Sequence, residues 1–414
     1  MTAEPGEPQD PPPTGKGGPG FIFVTLLLDV IGLGILIPVL PEIVADLTGG
    51  DASTAARYYG PIVALYAMMQ VLFAPLLGSL SDRFGRRVVI LVSLTGMAIS
   101  YLILGLAPSI TWLFVGRGLA GITGATITTA NAYMADVSTP ETRSRNFGLV
   151  GAAFGIGFVL GPALGGLLGE IGPRVPFFGA ALVVALNVVW GLFILPESLP
   201  PDKRRPFELT DANPLASLRH LRIHPLVTSL AVAFFLFSVS QRSLESVWVL
   251  HAKFRYGWSE WQNGLSLAGF GVAAAIVQGL LVRRIVGRLG EPRTLLLGLS
   301  LQAVSQVLFA AAATGVLLLM VIPVAALGAI SGPALQGLVT SVVPEDRQGA
   351  VQGALAAVQS LTTIVAPLAS TWIFAAATDG TLPFIMPGLP FLLASGFTLL
   401  AIGAAASAVS RYAE

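Results

Sequence analysis

Apolar residues run along this chain in long blocks. They show neither the alternation of a half-buried strand nor the single stripe of a surface helix. Blocks of about 20 residues recur, and a helix of that length crosses the hydrocarbon of a bilayer. They predict spans at 21–40, 60–80, 88–107, 112–134, 147–169, 176–195, 226–250, 262–283, 294–313, 315–338, 350–376 and 386–409. The expected fold class is an all-α polytopic membrane protein with 12 transmembrane helices, its even number returning the C-terminus to the side of the N-terminus. The longest polar connection, Glu197 to Pro225, contains PPDKRRPFEL and falls between the sixth and seventh spans. It reads as a cytoplasmic linker joining two six-helix bundles, 21–196 and 226–410.

An internal repeat supports the two halves. Pro140-Glu141-Thr142-Arg143 returns as Pro344-Glu345-Asp346-Arg347, Arg83-Phe84-Gly85 as Arg288-Leu289-Gly290, and Pro162 as Pro367. All three recurrences keep their order and lie about half a chain apart.

Basic residues in short loops set the orientation. With the N-terminus inside, the cytoplasmic side receives Lys16, Arg83, Arg86, Arg87, Arg143, Arg145, the arginines and lysine of the central linker, Arg283, Arg284, Arg288, Arg293, Arg347 and Arg411. The other side receives Arg57, Arg174, Lys253 and Arg255. Both termini are therefore expected in the cytoplasm, with the chain multi-pass in the inner (plasma) membrane. Met1 to Gly20 are rich in Pro and Gly with Glu and Asp, the composition of a disordered tail. Lys16 is the one basic residue ahead of the first apolar block, too little for a secretory signal, so that block reads as a retained span.

Composition narrows the function classes. Of the 414 residues 54% are hydrophobic and 11% charged, far below the roughly 25% charged of soluble domains. The net charge of +1 gives no reason to expect a nucleic-acid partner. There is no cysteine, and the three histidines, His220, His224 and His251, offer little for a metal. No G-x-x-x-x-G-K-[ST] stretch for ATP occurs, and no Ser/His/Asp grouping lies in the spans, so an enzyme is not expected. No cofactor is expected either.

The polar residues that remain at membrane depth are candidate machinery. Asp29 is flanked by Leu28 and Val30 inside the first apolar block, a poor place for a helix cap and a good one for a proton site or a counter-charge. Arg117 lies in FVGRGLAGITGA of the fourth span, and the spacing of Arg117, Gly121, Gly124, Thr128 and Asn131 places them on one helix face. Snorkelling to the interface is the alternative for Arg117. Arg242 and Glu245, three apart, can pair on the seventh span, either as a structural salt bridge near its outer end or as a substrate-selecting pair of the cavity. Gln302 and Gln306 share a face and, with Gln278, Gln336 and Gln359, would line a neutral polar cavity or bond helices together. Between the second and third spans, GSLSDRFGRR combines Gly78 for close helix approach, Gly85 for a tight turn, and Asp82 within reach of Arg83 and Arg86. In the fifth span, GFVLGPALGG sets Gly157, Gly161 and Gly165 on a smooth face beside Pro162 and Gly166.

These motifs resemble the major facilitator superfamily, and within it the drug:proton antiporters, with the tetracycline-efflux branch the nearest in pattern. LDVIGLGILIPVLP (Leu28–Pro41), the segment Tyr58–Arg87, GRGLAGITGAT (Gly116–Thr126), AYMADVSTPETRSRNFG (Ala132–Gly148), the segment Val247–Gly271 and QGALAAVQSLTTIVAPL (Gln352–Leu368) carry the likeness. The resemblance implies two rocking bundles, export of a small molecule and coupling to protons. It implies coupling roles for Asp29 and Arg117, and cavity roles for Gln70 and Gln278. It further implies a gate of Asp82, Arg86, Asp136 and Arg143 whose pairs form when the inner face closes, and an antiporter motif around Pro162. The chain departs from the branch at Ser100 and Gln302, where the antiporters carry aspartates, and at Ala274, where they carry a histidine. The expected substrate is therefore a neutral or weakly charged amphipathic compound, with tetracycline itself, or a proton-independent uniporter or importer, as the alternatives. The expected partners are that substrate, protons and the lipid bilayer, with the monomer as the functional unit.

Overall fold

The structure is a computed structural model of the 414-residue chain, and it describes residues 18–124, 126–206, 221, 225–344 and 347–413. All regular structure among these residues is helical. Eleven helical stretches are long and apolar enough to cross a bilayer. One of them, Glu260–Ala311, runs 52 residues, which at 1.5 Å per residue is more than twice the hydrocarbon thickness. It is broken at Gly290, whose φ of 75° leaves the helical region. Divided there, the run yields two spans and the described residues are consistent with twelve. Gly85, its counterpart in the repeat, has a φ of 103° and divides α2 (Ala52–Phe84) from α3 (Arg86–Leu106). A glycine serves at both places because a Cβ disfavours positive φ.

The helices are longer than their apolar cores, because the read windows capture only the part at lipid depth. α1 is Gly18–Leu47, so the stretch read as a tail to Gly20 is already helical from Gly18. The rest of the tail lies outside the described residues, as do most of the central linker and the Glu345-Asp346 half of the repeated turn. The fourth span is two helices, α4 (Ile110–Thr123) and α5 (Thr126–Asp136). The face shared by Arg117 through Asn131 is therefore interrupted at Gly124. α6 (Pro140–Ile171) and α7 (Val175–Ile194) complete the first half. In the second half, α8 is Pro225–Tyr256, and α9 (Glu260–Ile276) passes through a π-helical turn, Val277–Leu281, into α10 (Val282–Ala311). The tenth span is also divided, into α11 (Gly315–Gly328) and α12 (Ser331–Val342), and α13 (Gln348–Thr378) and α14 (Leu389–Ala413) follow.

Within each half the packing is dense. α1 lies on α6 and α7, α2 on α4, and α3 on α4 and α7; α8 lies on α13 and α14, and α10 on α11, α12 and α14. Two seams join the halves, α6 against α9 and α2 against α13, and they occupy symmetry-related places. At the first, a Cβ on Gly264 would meet the Pro162 carbonyl oxygen; at the second, a Cβ on Gly60 would stand 2.9 Å from the Pro367 carbonyl oxygen. The repeated prolines of the sequence thus mark the two interfaces.

We call the end that carries the Gly85 turn the near end and the opposite one the far end. Three cross-bundle polar contacts lie at the far end. Arg57 pairs with Asp379 at 2.5 Å, Lys253 pairs with Glu42, and Glu170 accepts from the Trp261 backbone N–H at 3.2 Å. The same helices are bare in their near halves, where Cβ atoms added to Gly78, Gly148, Gly151, Gly155, Gly349 or Gly353 would touch nothing within 4 Å. The described helices thus touch across the far end, while these near-half glycines face open space.

Two far-end carboxylates are drawn below the ordinary range. Asp51 caps α2 and accepts from Ser53 Oγ, Thr54 Oγ1 and the Thr54 N–H at 2.6–2.8 Å. Those bonds, Ser53 first, draw its carboxyl down to about 2. The hydroxyl and N–H of Thr381, and then Arg57, hold Asp379 below the usual carboxylate range. A depressed value means that the contact is whole at neutral pH and is lost only as acid titrates the folded group. Far-end closure is therefore expected to be constant from neutral pH down to the ordinary carboxylate range and to loosen below it. Arg57→Ala should loosen it at every pH. Spin-label distances between positions 58 and 384 would read both effects, and an unchanged distance in Arg57→Ala would show that this pair does not hold the end shut.

Candidate functional site: a buried acid, an arginine on a tyrosine, and a near-end clasp

The first bundle encloses charges that the apolar runs had left conspicuous. Asp29 is 2% exposed, no ion pair reaches it among the described residues, and its Oδ1 is buried without a hydrogen-bond partner. Arg117 is buried as well, with its guanidinium carbon 4.1 Å from the centre of the Tyr66 ring. It does not snorkel; a desolvated cation over an aromatic face gains on the order of 2 kcal/mol from the ring. Gln70 donates to the Gly124 carbonyl at 3.1 Å and to the Tyr66 hydroxyl at 3.4 Å. It thereby ties α2 to the break between α4 and α5, whose freed carbonyl it satisfies. Tyr101 on α3 is fully buried, its hydroxyl unpartnered and lying against Gly32 of α1. Four helices thus contribute one polar cluster of Asp29, Tyr66, Gln70, Tyr101 and Arg117. The tyrosines escaped the sequence reading, although Tyr59, Tyr66 and Gln70 fall at i, i+7 and i+11, one face of a helix.

The glycines of α6 set this cluster's geometry. Added Cβ atoms on Gly157, Gly161 and Gly165 would lie 2.8 Å from Val30 Cβ, 2.7 Å from Gly34 Cα and 2.3 Å from the Ile35 carbonyl oxygen. α1 is pressed onto α6 beside Asp29. Gly166 and Gly169 face the other way, onto Glu260 at the α9 seam. The motif is therefore two smooth faces, one internal to the bundle and one between the bundles.

At the near end, Arg86 bonds Asp82 at 2.5 Å, Asp136 at 3.1 Å and Ser81 at 2.9 Å. Asp136 also accepts from Ser198 at 3.0 Å. Glu197, which sequence reasoning missed, accepts the backbone N–H groups of Arg86 and Arg87 at 2.8 and 3.2 Å. It caps the exposed donors that begin α3. Its one sequence signal is an acid directly after the sixth span. Gly85 has the room this requires, since a Cβ there would strike the Glu197 carboxylate. Arg83 lies over Phe84, 5.2 Å from its ring centre, and Arg143 is exposed with no ion pair among the described residues. The expected four-residue gate is thus a three-residue clasp with Glu197 as its fourth member. It joins α2, α3 and α5 to the start of the linker, with no residue of the second bundle, and it is formed while the bundles touch at the far end. Arg86→Ala should cost about 2 kcal/mol of stability, as the loss of charge-assisted hydrogen bonds does, with Arg143→Ala near neutral; thermal unfolding of the purified variants separates the two.

In the second bundle Arg242 and Glu245 pair at 2.7 Å on α8. Gln302 and Gln306 do not line a cavity. Gln302 bonds Gln241 at 2.6 Å, and Gln306 bonds Ser240 at 2.5 Å and accepts from Thr398 at 3.1 Å, both amides being buried between α8, α10 and α14. Gln359 accepts from Ser238 and Gln336 reaches Gln352, while Gln278 is exposed in the π-helical turn. The structure does not bring these glutamines to one place; they satisfy one another across helices, as polar groups in lipid must. Ser100 turns back onto the Met97 carbonyl at 2.8 Å, and Asn131 is half-buried. No cluster of metal-binding side chains occurs among the described residues.

Comparison with known proteins agrees with this architecture. The profile of the Major Facilitator Superfamily matches residues 22–367 and 255–412. The chain is 42% identical to the tetracycline resistance protein, class C, of Escherichia coli, over 86% of this chain and 90% of that one. It is 31% identical to multidrug resistance protein 2 of Bacillus subtilis (strain 168), over 66% of this chain and 68% of that one. Among solved structures, the human organic anion transporter MFSD10 (TETRAN) superposes with a TM-score of 0.67 at 26% identity, over 95% of this chain and all of that one. Two helical halves meeting at proline-marked seams, a buried acid and arginine in the first half, and these matches together place the chain in the Major Facilitator Superfamily, as a multi-span membrane transporter and not an enzyme.

Proposed function

We propose that this protein exports a small amphipathic compound in exchange for protons, its two bundles, 21–196 and 226–410, exposing a site between them alternately to the two sides of the membrane. The observation that carries the coupling is Asp29. A carboxyl held at membrane depth with neither ion pair nor full hydrogen bonding can gain or lose a proton without breaking a bridge, and Arg117 is engaged with Tyr66 rather than paired with the acid. The names of the relatives, tetracycline and multidrug resistance proteins, support a drug-like cargo. Tetracycline:proton antiport is the second reading, favoured by the identity to the class C protein. A neutral cargo is preferred because Ser100 and Gln302 supply no charge and Glu245 is occupied by Arg242; a cationic metal–drug complex would lack the acids that offset its desolvation. The protein acts as a monomer in the inner (plasma) membrane with both termini in the cytoplasm.

Uptake of a drug panel into inverted vesicles, with and without an imposed proton gradient, tests the proposal. Gradient-driven uptake of neutral amphipaths above tetracycline is expected. Uptake indifferent to the gradient would overturn proton coupling, and strong magnesium-dependent tetracycline uptake would select the second reading. Orientation is read with a single cysteine, in a chain that has none. Lys203→Cys should react with an impermeant thiol reagent in inverted vesicles and not from outside intact cells.

A further inference from the structure

Four basic residues fall at the far end against the general charge bias. Arg57 pairs with Asp379 and Lys253 with Glu42, while Arg174 donates to the Gly105 carbonyl at 3.2 Å and has no ion pair among the described residues. Arg255 likewise has none, and it stands at a cleft. It is exposed at the end of α8, donates Nε to the Ala312 carbonyl at 3.3 Å beside the Tyr256 hydroxyl, and has no carboxylate partner among the described residues. It stands at the mouth of a cleft of about 860 Å³ between α9 and α11, walled by Trp258, Leu265, Val316 and Leu319 and floored by Gly269 and Ala273.

The cleft has the dimensions and polarity of one bilayer leaflet. From Gln262 to Ala273 it descends about 16 Å at the rise of a helix, close to half of a roughly 30 Å hydrocarbon layer. Below Arg255 the wall is mostly apolar, with Gln262, Ser266 and Thr314 its polar members. Leu265, Val316 and Leu319 are 53%, 61% and 43% exposed on the side where α9 and α11 face lipid. A Cβ on Gly269 would touch nothing, so the floor is open. Tyr256 and Trp258 flank the mouth, at the end of α8 and just before α9. An unpaired guanidinium above an acyl-length apolar trough is complementary to one membrane component.

We propose that this cleft binds an anionic phospholipid of the far leaflet, its phosphate at Arg255 and one acyl chain between α9 and α11. The lipid would wedge two helices of the second bundle beside the α6–α9 seam, and so would be placed to favour one conformation of the transporter.

The test uses the full-length purified protein and phosphatidylglycerol carrying a photoactivatable acyl chain. Labelling is expected to concentrate on peptides around Leu265 and Val316–Leu319, and to be displaced by unlabelled phosphatidylglycerol and not by phosphatidylcholine. Arg255→Gln should reduce it about fivefold, the worth of one basic residue at an anionic lipid surface, with Arg255→Lys restoring it. Gly269→Phe, filling the floor, should abolish it; if that variant does not fold, the two Arg255 variants decide. Even labelling of all helices, equal displacement by phosphatidylcholine, or indifference to Arg255→Gln would overturn the proposal. So would displacement by a transported drug and not by phosphatidylglycerol, which would make the cleft a substrate portal.

Discussion

Replacing Asp29 by asparagine is expected to reduce gradient-driven drug accumulation to the level of vesicles without the protein, while downhill exchange of drug across the membrane persists. Asparagine keeps the size of the side chain and its ability to hydrogen-bond, and removes only the exchangeable proton. Asp29 has no ion pair to lose, so the fold should survive; breaking a buried bridge would be far more disruptive. Uptake of labelled drug with and without a pH step, alongside drug–drug exchange at equal pH, separates coupling from binding. Coupled accumulation at the wild-type level in this variant would remove Asp29 from the mechanism. Loss of exchange together with accumulation would make it a binding residue.

The second large effect is expected from Gly161→Leu. Gly161 meets the α1 backbone itself, at Gly34 Cα, so no side-chain rotation makes room. Overpacking of this kind costs about 1–3 kcal/mol even where neighbours yield. Here α1 would have to leave α6, taking Asp29 with it. The variant should melt well below wild type, and whatever folded protein remains should transport nothing. Gly155→Ala on the same helix meets open space and gains about 1 kcal/mol of helix propensity, so it should be neutral or mildly stabilising. Equal melting temperatures for Gly161→Leu and Gly155→Ala would show that the α1–α6 contact carries no strain.

Much of this was written in the chain's local patterns. Apolar length located the spans, and the repeat singled out Gly85 with Gly290 and Pro162 with Pro367, which end helices and mark seams. Asp29 and Arg117 were legible because a charge in an apolar run is costly wherever it lands. What stayed hidden depends on partners distant in sequence. Nothing local says that Glu197 will cap α3, that Gln306 will spend its amide on Ser240 and Thr398, or that the fourth span will break where Gln70 can take up a carbonyl. The π-helical turn and the divided tenth span likewise leave the hydropathy unchanged. Glutamines at one helical spacing look the same whether they line a cavity or bond a neighbour, and only packing decides.

The glycine-faced seams bear on how such a molecule moves. Interlocked side chains resist displacement because each knob must climb out of its hole, and a core packed that way is bistable at best. Where α6 meets α9 through the backbone of Gly166 and Gly264, and α2 meets α13 with Gly60 against Thr371 and the Pro367 carbonyl, there is little side chain to climb over. Relative motion there has the character of shear, small sliding of one helix past another. The resistance to switching would then reside in a handful of discrete latches, Arg57 with Asp379 and Lys253 with Glu42. A proton or a drug molecule of modest binding energy would be enough to tip a joint of that kind.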